Sequence, residues 1–131
     1  MLCALAAGYT YIDCAYLYGN EQQVGEALHE WFQTHPRENV FISTKLWNTN
    51  HHPVRVRKQL EYQLKQLQVS YVDQFIVHWP IPTDKQNLKL TWQAMEQLVD
   101  QGLTKTISVS NYPEDLLEDL LSYCRIRPVT N

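Results

Sequence analysis

Cysteine is scarce in this sequence, and its few cysteines are irregularly placed. The three of them, Cys3, Cys14 and Cys124, include no Cys-x-x-Cys pair. An odd number of cysteines without close pairs argues against both a disulfide framework and a zinc knuckle. The sequence therefore predicts a protein of a reducing compartment, with the cytoplasm as the simplest location, and no metal site.

Long apolar runs and an excess of positive charge are also missing. The most apolar N-terminal stretch, residues 1–8, has no basic flank and is too short for a signal sequence or a membrane span. The net charge is −3, and the small basic cluster of Arg55, Arg57 and Lys58 is typical of a solvated helix face. Without a basic stripe to bind phosphates, we expect neither nucleic acid nor a membrane as partner.

Glycine is rare as well. The chain has four glycines, scattered at Gly8, Gly19, Gly25 and Gly102, so it contains no Gly-x-Gly-x-x-Gly fingerprint for a dinucleotide. No low-complexity tract interrupts the sequence, and a length of 131 residues with 44% hydrophobic content suits a single globular unit. We therefore treat residues 1–131 as one domain.

The sequence does contain a regular alternation of strand and helix patterns. Strand-like runs occupy residues 10–13, 40–45, 74–78 and 105–110. Helical apolar stripes follow them: Val24, Ala27, Leu28 and Trp31; Val56, Leu60, Leu64 and Leu67; Trp92, Met95, Leu98 and Val99; Leu116, Leu120 and Cys124. A loop holding Pro82 and Asp84 precedes the third stripe. Such alternation predicts parallel β-α units with right-handed crossovers.

Local signals predict where several elements begin and end. Asn20 followed by Gln23 resembles a capping box, and Pro53 suits the first position of a helix, where its missing N–H costs nothing. Gly102 is placed to end the helix before it. Residues 128–131 are predicted to begin a fifth strand.

Polar residues stand at the predicted carboxyl ends of all four strands. Asp13, Lys45, His78 and Ser110 are separated by 32, 33 and 32 residues. Taken singly, each residue is explained by the polarity common at strand ends. Taken together, at so regular a spacing, they favour successive neighbours in a barrel over a doubly wound sheet, and they place a carboxylate, an ammonium, an imidazole and a hydroxyl on one rim.

Four motifs at these strand ends resemble those of the aldo-keto reductases, in the family's order and along essentially the whole chain. They are residues 11–15 (YIDCA) with 18–21 (YGNE), 43–47 (STKLW), 77–80 (VHWP) and 108–112 (SVSNY). One position departs from the family pattern, because Ser108 stands where the family usually has glycine.

The resemblance implies a (β/α)8 barrel and an NAD(P)H-dependent carbonyl reductase, similar to alcohol dehydrogenase (NADP+) or aldose reductase. It assigns a catalytic tetrad to Asp13, Tyr18, Lys45 and His78. A phenol with a pKa of about 10 is a poor acid at neutral pH, and a neighbouring ammonium lowers that value. Lys45 would do this for Tyr18, Asp13 would hold Lys45, and His78 would orient the substrate carbonyl.

The same resemblance implies a cofactor set of Asp13, Ser110 and Asn111. Ser110 and Asn111 match the residues that in the family hydrogen-bond the nicotinamide carboxamide. Helix capping before Pro113 is an alternative role for both, compatible with the first.

The resemblance also implies a substrate-binding set of His78, Trp47 and Trp79. The two tryptophans come directly or shortly after tetrad residues and would wall an apolar pocket; packing against barrel helices is their alternative role. His51 and His52 lack a third ligand nearby and are expected to be exposed loop residues, not metal ligands.

The chain is too short for a complete barrel. A (β/α)8 barrel takes about 250 residues, so strands 2 to about 6 are expected here, with strand 1 and strands 7 and 8 missing together with their phosphate-binding loops.

Two hypotheses about the function stay open. One is a reductase of aldehydes or ketones that prefers NADPH, with NADH as the other cofactor. The other is an inactive shortened form or fragment acting as a non-catalytic interaction module. The full-length family is expected to be monomeric; this chain could associate with a partner or with itself.

Overall fold

The computed structural model describes residues 1–83 and 87–131, so the predicted loop position Asp84 lies outside the described residues. Its strands are β1 (Tyr11–Asp13), β2 (Phe41–Leu46), β3 (Val72–Val77) and β4 (Thr104–Val109). Its helices are α1 (Leu2–Ala6), α2 (Glu21–Trp31), α3 (Pro53–Leu67), α4 (Leu88–Asp100) and α5 (Glu114–Tyr123). Short 3₁₀ turns lie at Tyr16–Tyr18, Arg37–Asn39 and Asn48–Asn50. The strand predictions are correct in number and order and differ by one or two residues at their ends.

The four strands form one parallel sheet in the order β1-β2-β3-β4. Each strand lies beside the next one along the chain, and each is followed by a helix, which makes the fold a partial α/β barrel. The registers pair Asp13 with Ser43, Lys45 with Ile76, and Val77 with Val109. The barrel prediction is therefore confirmed over this part of the fold.

The C-terminal segment lies along β4, where a fifth strand was predicted. The N–H of Val129 donates to the carbonyl of Ile107 (3.1 Å), and the N–H of Val109 donates to the carbonyl of Thr130 (3.2 Å). The segment is not regular enough to be assigned as a strand. Two backbone hydrogen bonds nevertheless place it at the position of the next strand.

The two faces of the sheet differ in chemistry. Alternate residues of the strands pack apolar side chains against the helices, in a buried cluster that includes Ile42, Phe75 and Ile107. The helices contribute the apolar stripes that their sequences predict, including Leu28, Leu60, Leu64, Leu67, Trp92, Met95 and Leu98. The opposite, inner face carries polar side chains, and this separation leaves the inner face free to hold a site at its carboxyl edge.

Helix starts follow the sequence in one case and depart from it in another. Pro53 begins α3 as predicted, with the His52 ring nitrogen Nδ1 accepting from the N–H of Val54 (3.3 Å). The capping box predicted from Asn20 and Gln23 is wrong, because the Asn20 side chain makes no capping hydrogen bond. The Asn20 backbone (φ −126°, ψ 12°) is not extended in the way that aims such a side chain at the first turn.

Helices α2 and α3 touch at a position that only glycine allows. A Cβ on Gly25 would lie 2.0 Å from the carbonyl oxygen of Gln66. Gly102, as predicted, follows the end of α4 with a left-handed backbone (φ 71°). Among the described residues, no helix is both long and apolar enough to cross a membrane.

One side-chain prediction needs correction. His51 is completely buried, not exposed, because α4 packs over it and the Thr91 hydroxyl donates to its carbonyl oxygen (2.8 Å). Leu116, Leu120 and Cys124 pack towards the core as predicted, with Leu120 fully buried and Cys124 half-buried just after the end of α5. The basic cluster of α3 is exposed as predicted.

Candidate active site

The turn between β1 and α2 carries the first two members of the predicted tetrad. Asp13 is the last residue of β1, and the N–H of Cys14 continues the strand pairing by donating to the Ser43 carbonyl (2.8 Å). The 3₁₀ turn Tyr16–Tyr18 follows and ends at Gly19, whose left-handed backbone (φ 67°) turns the chain into α2. Because glycine adopts this conformation at little cost, the turn holds Tyr18 close above the strand ends.

Lys45 of β2 is the centre of the site. Its side chain is buried, and its ammonium nitrogen Nζ donates to Asp13 Oδ1 (2.7 Å), the Cys14 carbonyl oxygen (2.8 Å) and the Tyr18 hydroxyl oxygen (3.3 Å). An ammonium has three protons, so these three acceptors satisfy it completely. A buried charge of this kind is stable only when it is paired and hydrogen-bonded, and the geometry meets both conditions.

His78 follows β3 and faces the same group. Its ring centroid lies 6.1 Å from that of Tyr18, edge to face. Burial lowers the pKa of His78 below its usual 6.5, the Lys45 ammonium lowers it further, and the Asp13 carboxylate opposes both. His78 is therefore a neutral imidazole at pH 7. Its Nδ1 is buried and has no hydrogen-bond partner among the described residues, whereas Nε2 is not enclosed in this way.

The two tryptophans of the predicted substrate set differ in position. The Trp47 ring packs edge to face against His78, with ring centroids 5.2 Å apart. Trp79 is exposed, and among residues 1–83 and 87–131 its ring makes no aromatic contact with His78 or Trp47. Trp47 is thus part of the site as it stands, while Trp79 lies at its exposed margin.

Ser110 and Asn111 lie next to His78, at the end of β4. Asn111 has a left-handed backbone (φ 61°), and its amide nitrogen donates to the His78 carbonyl (2.8 Å) and to the Ser110 hydroxyl oxygen (2.9 Å). This arrangement leaves the Ser110 proton and the Asn111 Oδ1 lone pairs available. A primary carboxamide carries one acceptor and one donor group, so this pair fits the carboxamide of a nicotinamide.

Two residues near the tetrad were not identified from the sequence. The Ser43 hydroxyl donates to Asp13 Oδ1 (2.7 Å), and the Tyr11 hydroxyl lies 3.2 Å from Ser43 Oγ. Both stand two residues before a tetrad member on the same strand, and side chains two apart on a strand share a face. That spacing was the available signal.

A buried carboxyl group supports the site from behind. Glu21, the first residue of α2, accepts hydrogen bonds from the Thr44 hydroxyl and from the Gln63 amide (3.0 Å). Burial raises the pKa of Glu21, and these two hydrogen bonds together with the charge of Lys45 oppose the rise. The group ties α2 to β2 and α3 directly behind Lys45.

A cleft lies beside the tetrad, and none of the four tetrad residues lines it. It has a volume of about 450 Å³ and lies between the 3₁₀ turn, the start of α2 and α3, with Tyr16, Trp47 and Tyr62 in its walls. Trp47, whose ring packs against His78, lines this cleft, as do Leu17 and Gly19 on either side of Tyr18. We therefore identify the site by the chemistry of the strand ends and not by the size of the cleft.

The arrangement supports proton donation to an oxygen. An exposed phenol hydroxyl stands beside a fixed ammonium and a neutral imidazole, and all three converge on the same edge of the sheet. Such a cation stabilises phenolate as the proton leaves, and an imidazole N–H can orient the oxygen that receives it.

Comparison with known proteins gives matches along the entire chain. The model of the Aldo/keto reductase family matches residues 1–131. Aldo-keto reductase family 1 member A1-A of Danio rerio is 40% identical over 151 residues, covering 100% of this chain and 47% of that protein. The human aldo-keto reductase family 1 member A1 is 39% identical and covers 95% of this chain and 45% of that protein. The chain spans about half the length of the curated relatives that it matches.

Solved structures share the fold closely. The aldose reductase of Giardia lamblia superposes with a TM-score of 0.94 at 44% identity, over 98% of this chain and 50% of that chain. The Bombyx mori aldo-keto reductase, solved in complex with NADP, superposes with a TM-score of 0.91 at 36% identity, over 98% of this chain and 44% of that chain. With the family model matched from the first residue to the last and the strand order shared with reductases of known structure, the chain belongs to the aldo/keto reductase family.

Proposed function

We propose that the protein reduces an aldehyde or a ketone to an alcohol with NADPH, and that Tyr18 gives the proton. One observation carries the proposal: the Lys45 ammonium, held by Asp13 and by the Cys14 carbonyl, donates its third hydrogen bond to the Tyr18 hydroxyl oxygen. A positive charge at this position stabilises the phenolate that remains after the proton has left. The Tyr18 side chain is about half exposed, so a substrate oxygen can approach it.

His78 has the role of orienting the substrate carbonyl. Its lowered pKa keeps the imidazole neutral at pH 7, so that one ring N–H can donate a hydrogen bond to the substrate oxygen. Because the imidazole is uncharged, it adds no second positive charge beside Lys45. Trp47, packed on the His78 ring, restricts the ring and forms one wall for the apolar part of the substrate.

Ser110 and Asn111 would hold the nicotinamide end of the cofactor, with Asp13 nearby. The free hydroxyl proton and the free amide oxygen complement a carboxamide, and the Bombyx mori relative was solved with NADP. When bound, reduced nicotinamide supplies the hydride. NADPH is our choice over NADH. The three free cysteines support a reducing compartment for this chemistry, and we propose the cytoplasm.

Cofactor binding is tested by titrating the purified protein with NADPH and following nicotinamide fluorescence. We expect a saturable change that NADH reproduces more weakly. A linear response without saturation would refute cofactor binding by this chain and would favour the non-catalytic alternative.

The proton donor is tested with Tyr18→Phe, with Tyr16→Phe as the matched control. Tyr16 lies in the same 3₁₀ turn, where its ring contacts Tyr62 at a centroid distance of 6.2 Å. We expect Tyr18→Phe to abolish reduction of a short-chain aldehyde while NADPH affinity stays nearly unchanged. The Tyr16→Phe protein should retain the full rate. A substantial residual rate in Tyr18→Phe would show that another group gives the proton.

A further inference from the structure

Beneath the tetrad, the inner face of the sheet carries a continuous chain of hydrogen-bonded side chains. The Tyr11 hydroxyl lies 3.2 Å from Ser43 Oγ and 3.2 Å from Gln74 Oε1, and the Ser43 hydroxyl lies 2.7 Å from Asp13 Oδ1. Ser43 and Gln74 are buried, while the Tyr11 ring is held by stacking on Phe41 with centroids 5.1 Å apart. The chain runs across β1, β2 and β3 and ends at the tetrad.

The direction of the hydrogen bonds is determined by the groups at the two ends. The Gln74 amide nitrogen donates to the hydroxyl oxygens of Ser108 (2.6 Å) and Thr130 (2.9 Å), which uses both of its protons and turns Oε1 towards Tyr11. At the other end, an ionised Asp13 only accepts, so the single Ser43 proton points to it. Ser43 Oγ and Gln74 Oε1 are then both acceptors for the single Tyr11 proton, which they share at equal distances of 3.2 Å.

Asp13 depends on such support because little else restrains it. It ends a strand of three residues at the edge of the sheet, and its side chain is 46% exposed. Its Oδ1 accepts from both Lys45 Nζ and Ser43 Oγ at 2.7 Å. A carboxylate held by two donors has fewer orientations than one held by a single flexible lysine, so the Ser43 hydroxyl also limits the positions open to the ammonium beside Tyr18.

We propose that the Ser43 hydroxyl, itself held by Tyr11, is a positioning group that orients the Asp13 carboxylate and, through it, the Lys45 ammonium during carbonyl reduction. The inference rests on the proposed function for its catalytic consequence. The contact itself, between Ser43 and Asp13, is tested without cofactor or substrate.

The catalytic arm measures kcat and KM for NADPH and propanal in Ser43→Ala, Tyr11→Phe and Ser43→Thr. We expect Ser43→Ala to lower kcat about tenfold with both KM values changed less than about twofold, as for a group that acts in the transition state and not in binding. Tyr11→Phe should lower kcat by a smaller factor, and Ser43→Thr, which keeps the hydroxyl, should restore most of the rate.

The control is Thr106→Val, which removes a different hydroxyl of the sheet. The Thr106 hydroxyl donates to the Asp73 carbonyl oxygen (2.7 Å). The substitution should leave kcat unchanged. A kcat of Ser43→Ala within about twofold of the unmutated value overturns the positioning role, even if the hydrogen bond exists.

The contact arm is a double-mutant cycle of Ser43→Ala with Asp13→Ala, measured as urea unfolding without cofactor. A hydrogen bond to a carboxylate should couple the two changes by about fivefold in the unfolding constant. Coupling below about twofold overturns the inference. If the unmutated protein reduces no carbonyl compound, the proposed function fails, and this cycle still decides whether Ser43 holds Asp13.

Discussion

Replacing Asp73 tests how much a buried carboxylate and its ion pairs contribute to the free energy of unfolding. This carboxylate is buried on β3, at the edge of the sheet opposite the tetrad. Its Oδ2 accepts from the Arg37 guanidinium (2.9 Å) and the N–H of Ile42 (2.9 Å), and its Oδ1 accepts from the Lys105 ammonium (2.8 Å). Arg37 is itself only 17% exposed, so Asp73→Ala would leave a partly buried cation without its counter-charge, held by backbone carbonyls. It would also leave the Ile42 N–H without its acceptor.

We expect Asp73→Ala to lower the free energy of unfolding by about 3 kcal/mol at pH 7. Breaking a buried ion pair costs about 3–5 kcal/mol, and Arg37 retains enough solvent contact to bring the loss to the lower end of that range. The assay is urea unfolding followed by tryptophan fluorescence. The control is Lys105→Met: the Lys105 side chain is 54% exposed, so its removal should change the midpoint little.

The effect of Asp73 should also depend on pH. Burial alone would raise the pKa of Asp73, but hydrogen bonds from Lys105, the Ile42 N–H and Arg37, with the charge of Arg37, outweigh it and lower the pKa below 3.8. The stabilisation is therefore complete above the unfolded value and is lost as pH falls through the lower folded value. The difference between the unmutated protein and Asp73→Ala should shrink below about pH 4. A difference under about 1 kcal/mol at pH 7, or one equal to that of Lys105→Met, would refute the reasoning.

Three further changes have defined outcomes. Gly25→Ala should lower the free energy of unfolding by about 1–3 kcal/mol in the same urea assay, because the added Cβ would collide with the Gln66 carbonyl. In Gly102→Ala the added Cβ meets no atom within 4 Å, so the substitution should cost about 1–2 kcal/mol, for its positive φ alone. Glu96→Ala should cost about 2 kcal/mol, since Oε1 accepts from two backbone N–H groups after α5 (2.6 and 2.9 Å), and Glu96→Gln should recover part of the loss. Lys45→Met should lower kcat for aldehyde reduction at least about a hundredfold, followed as NADPH consumption; a rate near that of the unmutated protein would contradict the role of the ammonium.

The strand order and the shared rim were predictable because they depend on local patterns that repeat. A β-α unit of 32 or 33 residues returns the chain to the neighbouring position each time, and the carboxyl ends of parallel strands meet at one edge. Asp13, Lys45 and His78 followed from that alone. The predicted roles of these residues, and of the cofactor and substrate residues, stay predictions until the variants are measured.

Other features were missed because they depend on which surface covers a residue. His51 was expected in solvent, yet α4 packs over it, and no local pattern around two adjacent histidines announces that contact. The capping box at Asn20 failed for a related reason, since the preceding turn determines the backbone angles of that residue. The donors around Asp73 are likewise far apart in sequence, at Arg37, Ile42 and Lys105.

The sequence by itself determined the class of fold, the order of the strands and the motifs of the family, because hydrophobic period and strand-end residues are local properties. Only the tertiary structure decided how the site is assembled. The three acceptors of the Lys45 ammonium lie 27 to 32 residues away in the chain, and Ser43 reaches Asp13 across 30 residues. Such contacts depend on the exact register of β1 on β2, because a shift of one residue would turn Lys45 and Ser43 to the opposite face of the sheet.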